Sequence, residues 1–433
     1  MLTKTFSQKG QALILIVLAI VGLVALVALA IDTGNVFSDR RHAQNAADTA
    51  ALAGALTCVQ AVPPQPCNLS PLSVQVRTSA LNRAESNDYT NDGINTVTVN
   101  NTPNNTPGPS CDGTNGPYAG NPEYIQVIIH STVNTFFAPI VGINQLDNCV
   151  EAIARAKPGS LEPLYYGNGI VGLKPDGCKV VDISGNALVE LTGGGGIFEN
   201  SNENCGMTIG GNPTVLITDG AISMVATPGT PTINGNPIIN VAGGIIGGVP
   251  HLDYPPPPYL LPNPTCGPES VTNGNIMWPG SYTGSKSFPP GAVDTLKPGV
   301  YCIYGEFRLN NNATLTGNGV TIVMMNGGIT WNGGAEVHLT APTIDPFKGL
   351  LIYAPMSNSN PMILNGNSVS FLQGTIFVPA APISYNGTGS IPTSNLSIIG
   401  YTVNLGGTNA TIINYDAGTS WQAPIPPEVA LSR

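Results

Sequence analysis

The chain is 433 residues long, enough for two or three domains with cores of their own. Only 9% of its residues are charged, against about a quarter in an ordinary soluble domain, while Gly and Pro occupy 52 and 39 positions, which argues against a helical cytosolic enzyme. The net charge of −10, with no basic cluster larger than Arg40-Arg41, excludes nucleic acid as a partner, because phosphates call for grouped Lys and Arg; the 42% apolar content excludes a disordered chain.

Ala12 to Ile31 reads ALILIVLAIVGLVALVALAI, without a single charge. At about 1.5 Å per residue a helix of this length crosses the roughly 30 Å hydrocarbon layer. A transmembrane helix over 12–31 is expected, with 1–11 as a cytoplasmic N-terminus and the lipid bilayer as a partner. The competing reading is a cleaved secretory signal with Lys4 and Lys9 as its basic start and Ala28-Leu29-Ala30 as its cleavage site. Against it, the apolar run exceeds the usual signal core of roughly 7 to 15 residues, and helical patterning continues beyond it. Basic residues are balanced across the span, with Lys4 and Lys9 before it and Arg40 and Arg41 after it, so loop charge does not set the orientation. The cysteines do bear on it. Cys58, Cys67, Cys111, Cys149, Cys178, Cys205, Cys266 and Cys302 all follow the span, show no CxxC spacing and have only four histidines for company. Disulfides in an oxidising, extracytoplasmic space are expected rather than zinc. Eight cysteines allow many connectivities; pairing in sequence order gives 58–67, 111–149, 178–205 and 266–302.

Beyond the span, Asp32 to Val59 carries Ala or Gly at 43, 46, 47, 50, 51 and 54, a helical spacing of small residues that permits close packing. A second helix is expected over Pro71–Ser86, then a strand over Ile94–Asn100, a loop over Asn101–Pro122, a strand over Tyr124–Val133, a short amphipathic turn or helix over Asn134–Gly142 and a strand over Cys149–Ala156. Together these make a small α+β unit over 32–159.

The segments GQALILIVLAI and ALAIDTGNVFSDRRHAQNAADTAALAGA are similar to the N-terminal segment of TadE/TadG-like proteins of the Flp (Tad) pilus assembly system. The later stretch YIQVIIHSTVNTFFAPIVGINQLDNCVEAIARA resembles the strands that close the pilin-like unit of such proteins. The resemblance implies a single-pass, pilus-associated envelope protein with its head outside the cytoplasm and with pilus assembly components or other envelope proteins as partners. Gly10 followed by an apolar helix resembles a prepilin peptidase site, Gln11 then being the first mature residue. Leu15 stands where a major pilin commonly has Glu at the fifth mature position.

From 160 to 423, short apolar strands alternate with Asn-Gly turns, among them Gly211-Asn212, Asn234-Gly235-Asn236, Asn310 to Asn312, Asn332-Gly333-Gly334 and Asn386-Gly387. Several neighbouring turns are about 20 to 33 residues apart, a period that suits stacked coils of short strands. The expected fold is therefore mainly β: the transmembrane helix and α+β unit followed by a right-handed parallel β-helix, with Val, Ile and Leu inside and Asn in left-handed turn positions. An antiparallel sandwich is the alternative, since the same turns also signal hairpins. The block from Lys297 to Pro342 also resembles the repeat-rich C-terminal halves of some pilus-associated surface proteins. Pro250 to Pro268, with four successive prolines, reads as a loop that leaves and re-enters the β-helix. The last strand is expected over Thr411–Tyr415, and 424–433 as a tail.

A β-helix raises the question of polysaccharide cleavage, which the fold alone does not answer. Glycoside cleavage needs paired carboxylates, and lyase chemistry a base beside a cation. Glu306 with Arg308, and Glu336 with His338, share a strand face two residues apart, although a solvated ion pair is the more ordinary reading of each. Asp345 and Lys348 read as a solvated turn. Charges elsewhere in the repeats are too scattered for a calcium cage, so neither metal nor cofactor is expected, and catalysis is not expected. Asn, Thr, Ser and Tyr on the repeats suit hydrogen bonding to a neutral glycan or another protein. At the outer end of the span, Asp32 and Gly34 belong to the Ala-x-Asp-x-Gly pattern. Asp32 is read either as the partner of a cation on a neighbouring subunit or as a charge in the headgroup layer.

Overall fold

The computed structural model describes residues 11–61, 65–103, 111, 118–365, 367, 369–387, 395–407 and 410–432. Gly10 of the expected processing site lies outside them. The chain divides into two compact units, residues 1–160 with 426–433, and residues 161–425.

In the first unit, helix α1 runs unbroken from Gln11 to Val59. Its N-terminal half is apolar and the large side chains from Leu13 to Leu29 stand exposed, as a lipid-facing helix requires. Past Asp32 the pattern changes: Ala43, Ala46, Ala47, Ala50, Ala51 and Ala55 are fully buried. Their lack of bulk lets α1 lie close to helix α2 (Leu72–Glu85) and to a sheet of strands β1 (Thr96–Asn100), β2 (Tyr124–Asn134) and β3 (Gln145–Lys157). Gly54 marks the tightest point, since a Cβ there would stand 3.3 Å from the Ile125 side chain and 3.4 Å from Ala80. β2 pairs antiparallel with both β1 and β3. The expected tail is a strand instead: Glu428–Leu431 pairs antiparallel with the end of β3, Ala154 opposite Leu431 and Lys157 opposite Glu428. An edge strand otherwise left with open amides is thereby covered, and the second unit is an insertion between two strands of this sheet.

The second unit is a parallel β-solenoid of about nine turns, which excludes the antiparallel sandwich. Each complete coil contributes strands to three parallel stacks. Along one stack the inward residues form a ladder in which Tyr301, Ile322, Ile352, Ile376, Ile398, Ile170, Ile197 and Ile222 are successive partners. The order of these numbers shows that chain order and stacking order differ. The chain enters in mid-stack at Ile170–Gly172 and coils outward to Ile245–Gly247. It then restarts at the opposite end with Gly280–Tyr282 and coils back until Leu396–Gly407 pairs with the first coil, Ile398 opposite Ile170 and Val403 opposite Val181.

The proline-rich segment connects the two ends and has a definite place. The outward residues of the same stack, Cys302, Val323, Tyr353, Phe377, Ile399, Val171 and Phe198, form an apolar column. Val249, Leu252, Tyr254, Leu260, Leu261 and Cys266 of the returning segment pack on that column. Both faces of this stack are therefore buried, which explains uninterrupted apolar strands such as Val320–Met324. Asn200 pins the start of the strap, donating from Nδ2 to the Leu252 carbonyl at 3.1 Å and accepting the Leu252 amide at 2.7 Å. The Cys266–Cys302 disulfide pins its end.

At the turns, glycine rather than asparagine takes the left-handed backbone. Among the described residues Asn312 is the asparagine with positive φ, whereas Gly185, Gly211 and Gly235 lie at φ 87°, 84° and 130°. These glycines stack on one another, and a Cβ on Gly211 would meet the Gly185 carbonyl oxygen at 2.4 Å. Both a left-handed φ and the close approach of the next coil demand glycine there.

Candidate functional site

Asp32 lies on the face of α1 that continues into the alanine stripe, and it is buried. Its carboxylate accepts three consecutive backbone amides from the loop between β2 and β3: Phe136 to Oδ1 at 2.7 Å, Phe137 to Oδ2 at 3.0 Å and Ala138 to Oδ2 at 2.7 Å. These amides open a 3-10 turn over Ala138–Val141, whose own cap residue, Phe137, offers no side-chain acceptor. A carboxylate from a distant helix thus supplies the cap. Burial opposes ionisation, but the three amides outweigh it and hold the carboxyl below its ordinary range. Both oxygens of Asp32 are thus taken up by backbone amides of its own chain, partners that the sequence alone does not indicate. Gly34 lies two residues further along α1, where a Cβ would meet nothing within 4 Å.

Two helical turns along, Asp39 accepts the Tyr89 hydroxyl at 3.0 Å, the Ser131 hydroxyl at 2.5 Å and the Asn148 amide at 2.8 Å. Sequence reading missed this residue. The signal that would have found it is the seven-residue step from Asp32 through Asp39 to Ala46, one stripe of the helix.

The four disulfides are 58–67, 111–149, 178–205 and 266–302, the pairs that sequence order gives. Cys178–Cys205 ties adjacent coils, beside the bond from the Lys179 amide to the Cys205 carbonyl.

Glu306 and Arg308 form an exposed ion pair at 2.8 Å, and Glu336 and His338 a half-exposed hydrogen-bonded contact at 2.8 Å. The first pair belongs to the coil edge at Phe307–Leu309 and the second to a strand of a different stack, Glu336–Thr340. The structure thus keeps each pair to itself. Asp345 and Lys348 line a smaller cavity with Trp421 and Gln422.

A cavity of about 580 Å³ on the solenoid is lined by Tyr165, Tyr166, Tyr259, His251, Glu162 and Asp253, among others. Tyr165 and Tyr166 are consecutive and both left-handed, at φ 46° and 64°, a conformation that non-glycine residues rarely adopt and that marks functional surfaces more often than chance. The result is one buried ring, whose hydroxyl has no partner, beside one that is 83% exposed. Aromatic faces with flanking polar groups stack on sugar rings and hydrogen-bond their hydroxyls.

Deeper in the same unit, Glu199 is fully buried. Its Oε1 accepts the Ser201 amide at 2.6 Å, while Oε2 has no partner. Burial pushes its carboxyl up to about 8, against the smaller opposing effect of the Ser201 amide.

No match to the chain was found among curated proteins or solved structures. The helix that carries Asp32, Asp39 and the alanine stripe does have a counterpart: residues 10–57 match the family model described as Putative Flp pilus-assembly TadE/G-like.

Proposed function

We propose that this chain is a membrane-anchored, pilus-associated surface protein whose solenoid displays a binding surface and does not catalyse a reaction. One observation carries the reading: a single chain joins a TadE/G-like helix with an exposed apolar half to a long, disulfide-clamped β-solenoid. The span anchors it in the bilayer, and components of the Tad pilus assembly machinery are its partners there. Pairing of all eight cysteines beyond the span supports an extracytoplasmic C-terminal bulk. The tyrosine-lined cavity suits a neutral glycan, and the self-paired Glu306–Arg308 and Glu336–His338 supply no converging acid and base.

The test uses the detergent-solubilised full chain and a panel of neutral and acidic polysaccharides. Retention without product release is expected, with Tyr166→Ala and Tyr259→Ala each weakening retention about tenfold, the loss of a stacked ring. Cleavage abolished by Glu306→Gln or Glu336→Gln would replace the display reading with that of a polysaccharide-cleaving enzyme.

A further inference from the structure

The loop that Asp32 caps has a surface that its place in the first unit does not explain. From Ser131 to Leu146 the sequence carries no charge. At its tip Phe136, Ile140 and Val141 are 69%, 87% and 74% exposed, with Phe137 and Ile143 also open. Such a cluster in water is unfavourable and marks a contact surface. Beside the loop lies a groove of about 450 Å³, whose walls are Phe137, Ala138, Ile140 and Val141 on one side and Val21, Val24, Ala25, Ala28, Leu29 and Asp32 on the other. Along α1 the distance from Asp32 back to Val21 is about 16 Å at 1.5 Å per residue. That stretch is the outer half of the apolar span.

We infer that the Phe136–Ile143 loop is a second membrane-inserted element, entering the outer leaflet beside α1 with lipid acyl chains filling the groove. The inference rests on the reading of 12–31 as a membrane span. If Val21 to Leu29 are in lipid, the side chains facing them across the groove are in lipid as well, and the exposed tip extends the apolar surface of the span. Irregular backbone enters an apolar medium only when its polar groups are satisfied internally, and most amides of this loop are satisfied within the first unit. The Phe136, Phe137 and Ala138 amides go to Asp32, and Pro139 has no amide hydrogen. Those of Ile140, Gly142 and Ile143 go to the carbonyls of Phe137, Pro139 and Ala138, and that of Thr135 to Asn144. The Thr135 hydroxyl donates to the Ile143 carbonyl at 2.6 Å. Asp32 is thus a positioning residue that removes three donors from the lipid boundary. The arrangement resembles an interfacial element, which buries its apolar side about 5–10 Å below the headgroups.

All eight native cysteines are paired, so an added thiol can be labelled selectively. Ile140→Cys and Val141→Cys, both at open positions that leave the fold intact, are labelled with an environment-sensitive fluorophore in the full chain. The labelled chain is reconstituted into phosphatidylethanolamine–phosphatidylglycerol vesicles. Gln75→Cys on α2 is the control, exposed and near the level of Gly54, about 33 Å along the helix from Asp32. Lipids spin-labelled high on the acyl chain are expected to quench the 140 and 141 labels about twofold or more and to leave the label at 75 unaffected, as shallow burial requires. Labels at 140 and 141 as unquenched as the control, in chains that float with the vesicles, overturn the inference and leave the anchor standing. Unquenched labels that crosslink copy to copy also overturn it, assigning the surface to a neighbouring subunit. A chain that fails to float removes the anchor and the inference together.

Discussion

In the first unit one helix face does the packing, with alanines set against a sheet, Asp39 and Gln44 tethered to its strands and Asp32 to the loop between β2 and β3. Among the described residues of the solenoid there is no α-helix, and an isoleucine ladder runs from coil to coil while a separate strap seals the outer column. The contrast extends to carboxylates. Asp32 meets three amides and is held ionised, whereas Glu199 meets one amide and an apolar interior and is held protonated near neutrality. The same chemical group therefore pulls the stability of the two units in opposite directions with pH. The sign follows from the balance between burial, which favours the neutral form in both, and the backbone donors that oppose it, three at Asp32 and one at Glu199.

The largest expected effect tests the permuted stacking. Ile398 lies between Ile376, its neighbour in chain order, and Ile170, which begins the solenoid more than two hundred residues earlier. Ile398→Ala removes buried methylenes at the seam between the two blocks and should destabilise the solenoid by about 2–5 kcal/mol. Amide exchange at Ile170–Gly172 should accelerate while that of β2 stays unchanged. A loss under about 1 kcal/mol would mean that the seam is not packed like the rest of the ladder, since full burial of an isoleucine side chain is worth more than that.

That seam also shows where the sequence stops being informative. The helix α1, the closely bounded α2, the three strands of the first unit and the presence of short stacked strands are local patterns, readable from small-residue spacing, alternation and glycine. One partner of Ile170 is not local. Ile170 has two partners, Ile197 one coil ahead and Ile398 at the far end of the chain; periodicity selects the first, and nothing in it selects the second. The final strand escapes sequence reading for the same reason: Glu428–Leu431 is short and gains its identity from β3. Sequence reading places asparagine in the left-handed turns because both residues favour that backbone, but the approach of the next coil at Gly185 and Gly211 leaves no space for any Cβ. Of the candidate sites, the cysteine pairs followed sequence order. The capping role of Asp32 depends on a loop more than a hundred residues away.

A smaller effect separates the two carboxylates. The folded-state value of Glu199, about 8, lies above the ordinary glutamic acid value of 4.5. The folded unit therefore holds a proton that the unfolded chain releases once the pH exceeds the ordinary value. Stability associated with this group is full below that value and declines as pH rises toward 8, at up to about 1.4 kcal/mol per pH unit. Glu199→Gln, which keeps the shape and cannot ionise, should flatten the decline, so that its stability relative to wild type rises steadily from acid to pH 8. Denaturant titrations of wild type and variant at acid and mildly alkaline pH measure it. Parallel curves would show that Glu199 is ionised in the folded state.

The smallest effect belongs to Asp32, and its sign is reversed. Its folded-state value lies below the ordinary 3.8, so the bound amides favour the ionised form and the contribution to stability is present throughout neutral pH. It is lost only as the pH falls through the folded-state value, where carboxylate and variant become equivalent. Asp32→Asn keeps one acceptor oxygen but turns an amide donor toward a cluster of donors. At neutral pH it should speed hydrogen exchange at Phe136, Phe137 and Ala138 without changing exchange in the solenoid, and below about pH 4 the difference from wild type should shrink. Variant and wild type exchanging alike at neutral pH would show that the loop holds its turn without the carboxylate. A difference that persisted unchanged into acid would show that geometry rather than charge makes the cap. Glu199→Gln stabilising one unit above neutrality and Asp32→Asn loosening the other at neutrality would together show that the two carboxylates give their units opposite responses to pH.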